Sequence, residues 1–164
     1  MSRPHSVILL FIWFLWAAGR DLDALARYST TSDFYVFSVL GVPWLFFLMA
    51  GLVFLLNASS VFYLSRPQPT GYLVLFVALV AGTVQNLVTM VVALNNITGV
   101  REAYEIGREI RGLPVRQEAM DMIFTPTSMW VAAGLSLAVY AAIAWLVHRN
   151  RLFFFAPVDH ATEV

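Results

Sequence analysis

The chain has no cysteine and no lysine, and each absence removes a chemistry. Without cysteine there is no disulfide, no thiolate nucleophile, no Cys-ligated zinc and no iron–sulfur cluster. All ten basic residues are arginine, so no side-chain amine is at hand for Schiff-base catalysis. Charge of either sign is scarce: 12% of 164 residues are charged, and ten acids balance the ten arginines. That balance excludes a nucleic-acid binder of the basic-patch type. The three histidines, His5, His148 and His160, stand near the chain ends rather than inside an apolar run, where a b-type haem would want them. No P-loop, dinucleotide fingerprint, nucleophile elbow or zinc-protease motif is present. The expectation is a protein that is not an enzyme and holds no metal and no cofactor.

What is abundant is apolar side chain. Hydrophobic residues make up 60% of the chain, against roughly 45–50% in a soluble domain. A globule of this length has too little interior for that excess, so lipid must supply the remaining solvent. Reading for uninterrupted apolar runs gives four candidate crossings, at 6–19 or longer, 43–64, 72–96 and 128–147. The first is short. It also fits a secretory signal peptide ending at Ala17-Ala18-Gly19, although Trp13 and Trp16 suit a retained helix with an interfacial aromatic belt. If retained, it lengthens toward Arg27, with Asp21, Asp23 and Arg27 at or above the headgroups. Pro43 marks the start of the second crossing and leaves Phe34–Leu40 as an interfacial lead-in. The Arg66–Gly71 turn makes the second and third crossings antiparallel neighbours.

The predicted fold is therefore all-α: one polytopic membrane domain, four transmembrane helices in a bundle, and a short extracytoplasmic helical hairpin between the third and fourth. Arg66, Arg149 and Arg151 flank apolar helices without acidic neighbours. This favours cytoplasmic termini, with 148–164 as a cytoplasmic tail, in a bacterial inner or cell membrane. In that tail Phe153–Phe155 read as an interfacial anchor.

The segment 97–127 holds nine of the twenty charges. Ala103, Ile106, Ile110 and Leu113 recur at helical spacing, with Arg101 and Glu105 as an i,i+4 pair. Gly112 and Pro114 end that helix, and a second short one follows over 115–124. Two helices this short need a surface to rest on. The expectation is a cap on residues 21–33, with a partner-binding loop at Arg101, Glu105, Arg108, Ile110 and Arg111 as the alternative.

Inside the four crossings as drawn there is no ionisable residue, which argues against charge-coupled transport. Uncharged polar groups are present and patterned. Gln85, Asn86 and Thr89 lie along one side of the third crossing, and counting depths from the helix ends brings Ser136 and Tyr140 of the fourth level with them. Interhelical hydrogen bonding is the commoner role for such groups, and a ligand, quinone or lipid-headgroup site the rarer one. Ala50 and Gly51, Ala78 and Gly82, and Gly134, Ala138 and Ala142 are small-residue surfaces that suit helix packing. The leading functional expectation is an accessory, assembly or interaction subunit that acts through helix packing and its outer loop. Its partners would be the bilayer and a second copy or another membrane protein. An oligomeric transporter or channel for a small neutral solute, and a membrane enzyme or redox subunit binding lipid or quinone, are the alternatives.

Overall fold

A computed structural model describes residues 4–155, and among these the fold is helical throughout. The elements in order are α1 (His5–Ala26), a 3-10 turn (Tyr28–Thr30), α2 (Ser32–Val39), α3 (Pro43–Ser65), α4 (Pro69–Asn95), α5 (Ile97–Ile110), α6 (Gln117–Ile123), α7 (Pro126–Arg149) and a final turn α8 (Leu152–Phe155). Three of them, α3, α4 and α7, are long and apolar enough to cross a membrane. All three begin on proline, whose missing N–H is one that a first turn leaves unpaired anyway. Thr125 completes the start of α7 through a reciprocal capping box with Ser128.

Helix α1 lies along α3, α3 along α4, and α4 along α7, while α7 meets α1 over a small area. The turn between α3 and α4 is tight. A Cβ on Gly71 would lie 2.6 Å from the Cβ of Tyr63, so only glycine permits this approach. At the end where α1 begins and α7 finishes, Val7, Leu10, Phe14, Leu64, Leu75, Val147 and Phe154 form one buried cluster. Phe154 is thus a core residue, which corrects its expected role as an interfacial anchor. It is drawn in because α8 folds back onto α4. Residues 156–164 of the expected tail, with His160, lie outside the described residues.

The first helix extends well past Gly19, and its buried stripe is Val7, Leu10, Phe14, Ala17 and Asp21. Asp21 keeps the three-then-four spacing and so turns toward α3 rather than toward headgroups. At the opposite, capped end, α2 packs against α3, α4 and α5, and Gly41 at φ +72° turns the chain from α2 into α3.

The segment between α4 and α7 contains two helices, each packed on a different neighbour. Helix α5 rests on α2 and on the Tyr28–Thr30 turn, and α6 on α7. The cap therefore lies mainly on residues 28–39. Its expected apolar stripe is corrected. The buried face of α5 is Val100, Ala103 and Gly107, whereas Ile106, Ile110 and Leu113 are exposed. Small residues win that face because the helix approaches the turn closely: a Cβ on Gly107 would stand 3.3 Å from the carbonyl oxygen of Thr30. Gly112, at φ +66°, then ends α5 in a Schellman arrangement, with Leu113 N–H donating to Arg108 C=O and Gly112 N–H to Glu109 C=O.

Candidate functional site

Helices α4 and α7 meet from the Tyr72–His148 end up to one especially close contact, and leave a cavity beyond it. The contact is Gly82 against Tyr140, where a Cβ on Gly82 would fall 2.7 Å from the phenol oxygen. Asn86 Nδ2 donates to that oxygen at 3.2 Å, and Trp13 of α1 meets the Tyr140 ring edge-on at 6.2 Å between centroids. Toward the capped end the facing residues are small, Ala93 on α4 and Ala132, Ala133 and Ser136 on α7. They leave a cavity of about 270 Å³. Tyr140 lies at one end of it, Met129 borders it near the cap, and Asp33 of α2 reaches its wall.

Of the cavities that share walls with the first, two reach Arg20. One of about 180 Å³ is bordered by Arg20, Asp21, Asp33, Ala50, Gln85 and Thr89. The other, of about 270 Å³, lies between α1 and α7 and includes Trp16, Arg20, Ser136 and Tyr140. Asn86 borders all three.

Charge enters this region from α1 and α2, which corrects the expectation of a charge-free interior. Asp21 is 4% exposed and Asn57 6%. Asn57 Nδ2 donates to Asp21 Oδ2 at 2.9 Å, while Arg20 donates from Nη2 to Oδ1 at 3.0 Å and from Nε at 3.3 Å. Asn57 stands fourteen residues into α3, about 21 Å of helix. The carboxylate therefore sits beside an apolar span and not above it. Arg20 also lies over the Trp16 ring, 5.5 Å from its centroid. Burial pushes the Asp33 carboxyl above its usual range; Arg20 opposes this and Asp21 adds to it.

Among the described residues every wholly buried side-chain nitrogen and oxygen has a hydrogen-bond partner. The side chains of Asp33, Gln85, Thr89 and Ser136 are different: they make no hydrogen bond to any described residue, and each lies on a cavity wall. Thr83, also on the wall, donates its hydroxyl to Leu79 C=O of its own helix. The site is rich in hydrogen-bond donors and acceptors, an arrangement that suits binding.

Of the polar residues expected to cluster, Asn86, Thr89, Ser136 and Tyr140 share the α4–α7 cavity. Gln85 instead borders the neighbouring cavity, together with Ala50. Asp33 and the Arg20, Asp21 and Asn57 group were missed, though the spacing from Val7 to Asp21 carries the signal for Asp21. Ala50, Ala78 and Gly82 are buried in packing, whereas nothing lies within 4 Å of where a Cβ would stand on Gly51 or Gly134. Gly134, Ala138 and Ala142 are all exposed, and Val147 is the buried residue of α7.

The loop arginines are engaged locally. Arg101 binds Glu105, Gln117 and Asp121, joining α5 to α6. Arg108 donates to Pro114 C=O and to the Tyr104 hydroxyl, and Arg111 donates to Gly107 C=O. Ile110 remains exposed beside them.

The chain matches no protein-family model, no curated protein and no solved structure.

Proposed function

We propose that this chain is an integral membrane protein of four crossings, α1, α3, α4 and α7, which binds a small molecule within the bilayer between α4 and α7. The observation that carries the reading is the set of side chains on cavity walls with no hydrogen-bond partner among the described residues: Asp33, Thr89 and Ser136 on one, Gln85 on the next. Hydrocarbon offers such groups no partner, and interhelical glue would have used them on each other. A cavity near 270 Å³ lies just below the usual range of about 300–1,000 Å³ for ligand sites, so the occupant is small. Mass spectrometry on a solvent extract of the protein purified from its own membrane tests this. A small molecule present in about equimolar amount in wild type and depleted in Ser136→Leu supports the reading; extracts that do not differ contradict it.

Both termini on the cytoplasmic side is the orientation that Arg66, Arg149 and Arg151 support. The cap, which we read as the extracytoplasmic helical hairpin, then covers the site from the far side. Labelling Gln68→Cys and Glu118→Cys with an impermeant thiol reagent on intact cells tests it: Glu118→Cys is expected to react and Gln68→Cys is not.

A second reading, an accessory or assembly subunit, is favoured by the exposed Gly134, Ala138 and Ala142 stripe on a helix that the fold leaves largely uncovered. Such stripes allow close helix approach in membranes. Oxidative cross-linking of Ala138→Cys in native membranes gives a dimer band if this face meets a second copy.

A further inference from the structure

Asp33 carries the charge that the cavity system leaves unbalanced. Arg20 brings one positive charge and directs both its Nε and its Nη2 to Asp21, and Asp21 takes its remaining bond from Asn57. Among the described residues the Asp33 carboxylate has no hydrogen-bond partner, and no cationic group lies within 4 Å of it. An unpaired carboxylate facing a largely apolar space is costly unless a cation or a proton joins it.

We propose that the cavity between α4 and α7 takes a small organic cation, a primary amine on an apolar body, with its ammonium group on the Asp33 carboxylate. This rests on the binding reading above and names its ligand class. The volume of about 270 Å³ corresponds to about nine non-hydrogen atoms at the ~30 Å³ that a liquid water occupies. Leu87, Met90, Met129 and Leu137 supply apolar wall for the body, and the Thr89 hydroxyl is an acceptor for a second ammonium proton. Tyr140 ends the cavity with an aromatic ring and a hydroxyl already engaged with Asn86. A divalent metal ion fits poorly. Asp33 is the only carboxylate among the residues that line this cavity, and hard cations ask for six or more oxygens. An anion fits worse, since no arginine lines it.

The test compares 2-phenylethylammonium with 2-phenylethanol, which have the same size and differ in the charged group. Titration calorimetry is run on the full chain in maltoside micelles near neutral pH. Wild type is expected to bind the amine at least about tenfold more tightly than the alcohol. Asp33→Asn should bring the two within about twofold, and Ser136→Leu should weaken both about tenfold or more. Circular dichroism reports whether each variant is folded, and Ala133→Leu fills the same space if Ser136→Leu is not. Equal affinities in wild type, a preference that survives Asp33→Asn, or no measurable amine binding overturns the inference. Alcohol binding that is lost in Ser136→Leu without any amine preference leaves the binding reading standing. Affinities for both probes that ignore Ser136→Leu and Ala133→Leu remove that reading as well.

Discussion

Replacing Asn57 by leucine strips one hydrogen bond from one buried oxygen, and the structure says which. Asp21 Oδ2 accepts from Asn57 Nδ2 at 2.9 Å, while Oδ1 keeps both contacts to Arg20. The variant therefore leaves half of a carboxylate unsatisfied in a place that is 4% exposed. Hydrogen bonds to charged groups contribute about 1.5–3 kcal/mol. Polar pairs between membrane helices average only about 0.6 kcal/mol and reach about 1.7, because the unfolded chain in detergent finds other partners. Here the acceptor is a carboxylate and water has little access to it, so the upper end applies. A double-mutant cycle of Asn57→Leu and Asp21→Leu, followed by unfolding in sodium dodecyl sulfate mixed micelles with helicity as the readout, should give a coupling of about 1.5 kcal/mol or more. A coupling below about 0.5 kcal/mol would refute the reasoning, since it would mean that Asp21 is as well solvated without Asn57 as with it.

Gly82→Ala places a methyl group 2.7 Å from the Tyr140 oxygen; the phenol can swing aside, so the cost should be about 1 kcal/mol in the same unfolding assay, with the Asn86–Tyr140 bond lost and Tyr140 fluorescence changed. Gly71→Ala meets the Tyr63 Cβ at 2.6 Å, an atom that cannot move without its backbone; the turn between α3 and α4 must open, and the loss should be larger, about 2–3 kcal/mol. Burial raises the Asp33 carboxyl, so the folded chain holds that proton more tightly than the unfolded chain does. The contribution is then complete below the ordinary carboxylate value of about 3.9 and is lost as pH rises through the raised value. Wild type should therefore gain stability relative to Asp33→Asn as pH falls from neutral toward about 4, and a flat difference would contradict the burial.

The long apolar helices were legible from the length of their apolar runs, and Pro43 marked where α3 starts; Pro69, read as part of the turn, instead opens α4, because proline suits a first helical turn as well as a bend. Counting depth along antiparallel helices also brought Asn86, Ser136 and Tyr140 to one cavity, since antiparallel neighbours at a steady rise keep level residues level. The charged part of the site was not legible in the same way. Reading for apolar runs ends a span at its first charge, so Arg20 and Asp21 fell outside, although Asp21 continues the stripe from Val7 to Ala17. Asp33 arrives from α2, an element whose fold against α3 and α4 depends on the turn at Gly41. On α5 hydrophobicity pointed to Ala103, Ile106 and Ile110; of these Ala103 is buried, and close approach to Thr30 puts Gly107 rather than an isoleucine on that face. The uncovered state of α7 leaves no mark in one sequence, because a face that meets lipid and a face that meets a helix are both apolar.

The central claim is that the polar face of α7 borders a cavity that admits small polar molecules, while its opposite face meets lipid or a partner. Because the chain has no cysteine, one introduced thiol can be read without interference. Ser136 and Ala138 are two residues apart, about 200° around the helix, and lie on opposite sides of it. The thiolate attacks the thiosulfonate sulfur and expels sulfinate, and it forms only where water or a polar wall stabilises it. In native membranes a small hydrophilic methanethiosulfonate should modify Ser136→Cys at least about ten times faster than Ala138→Cys. Equal rates at the two positions, or an inert Ser136→Cys, would contradict the account.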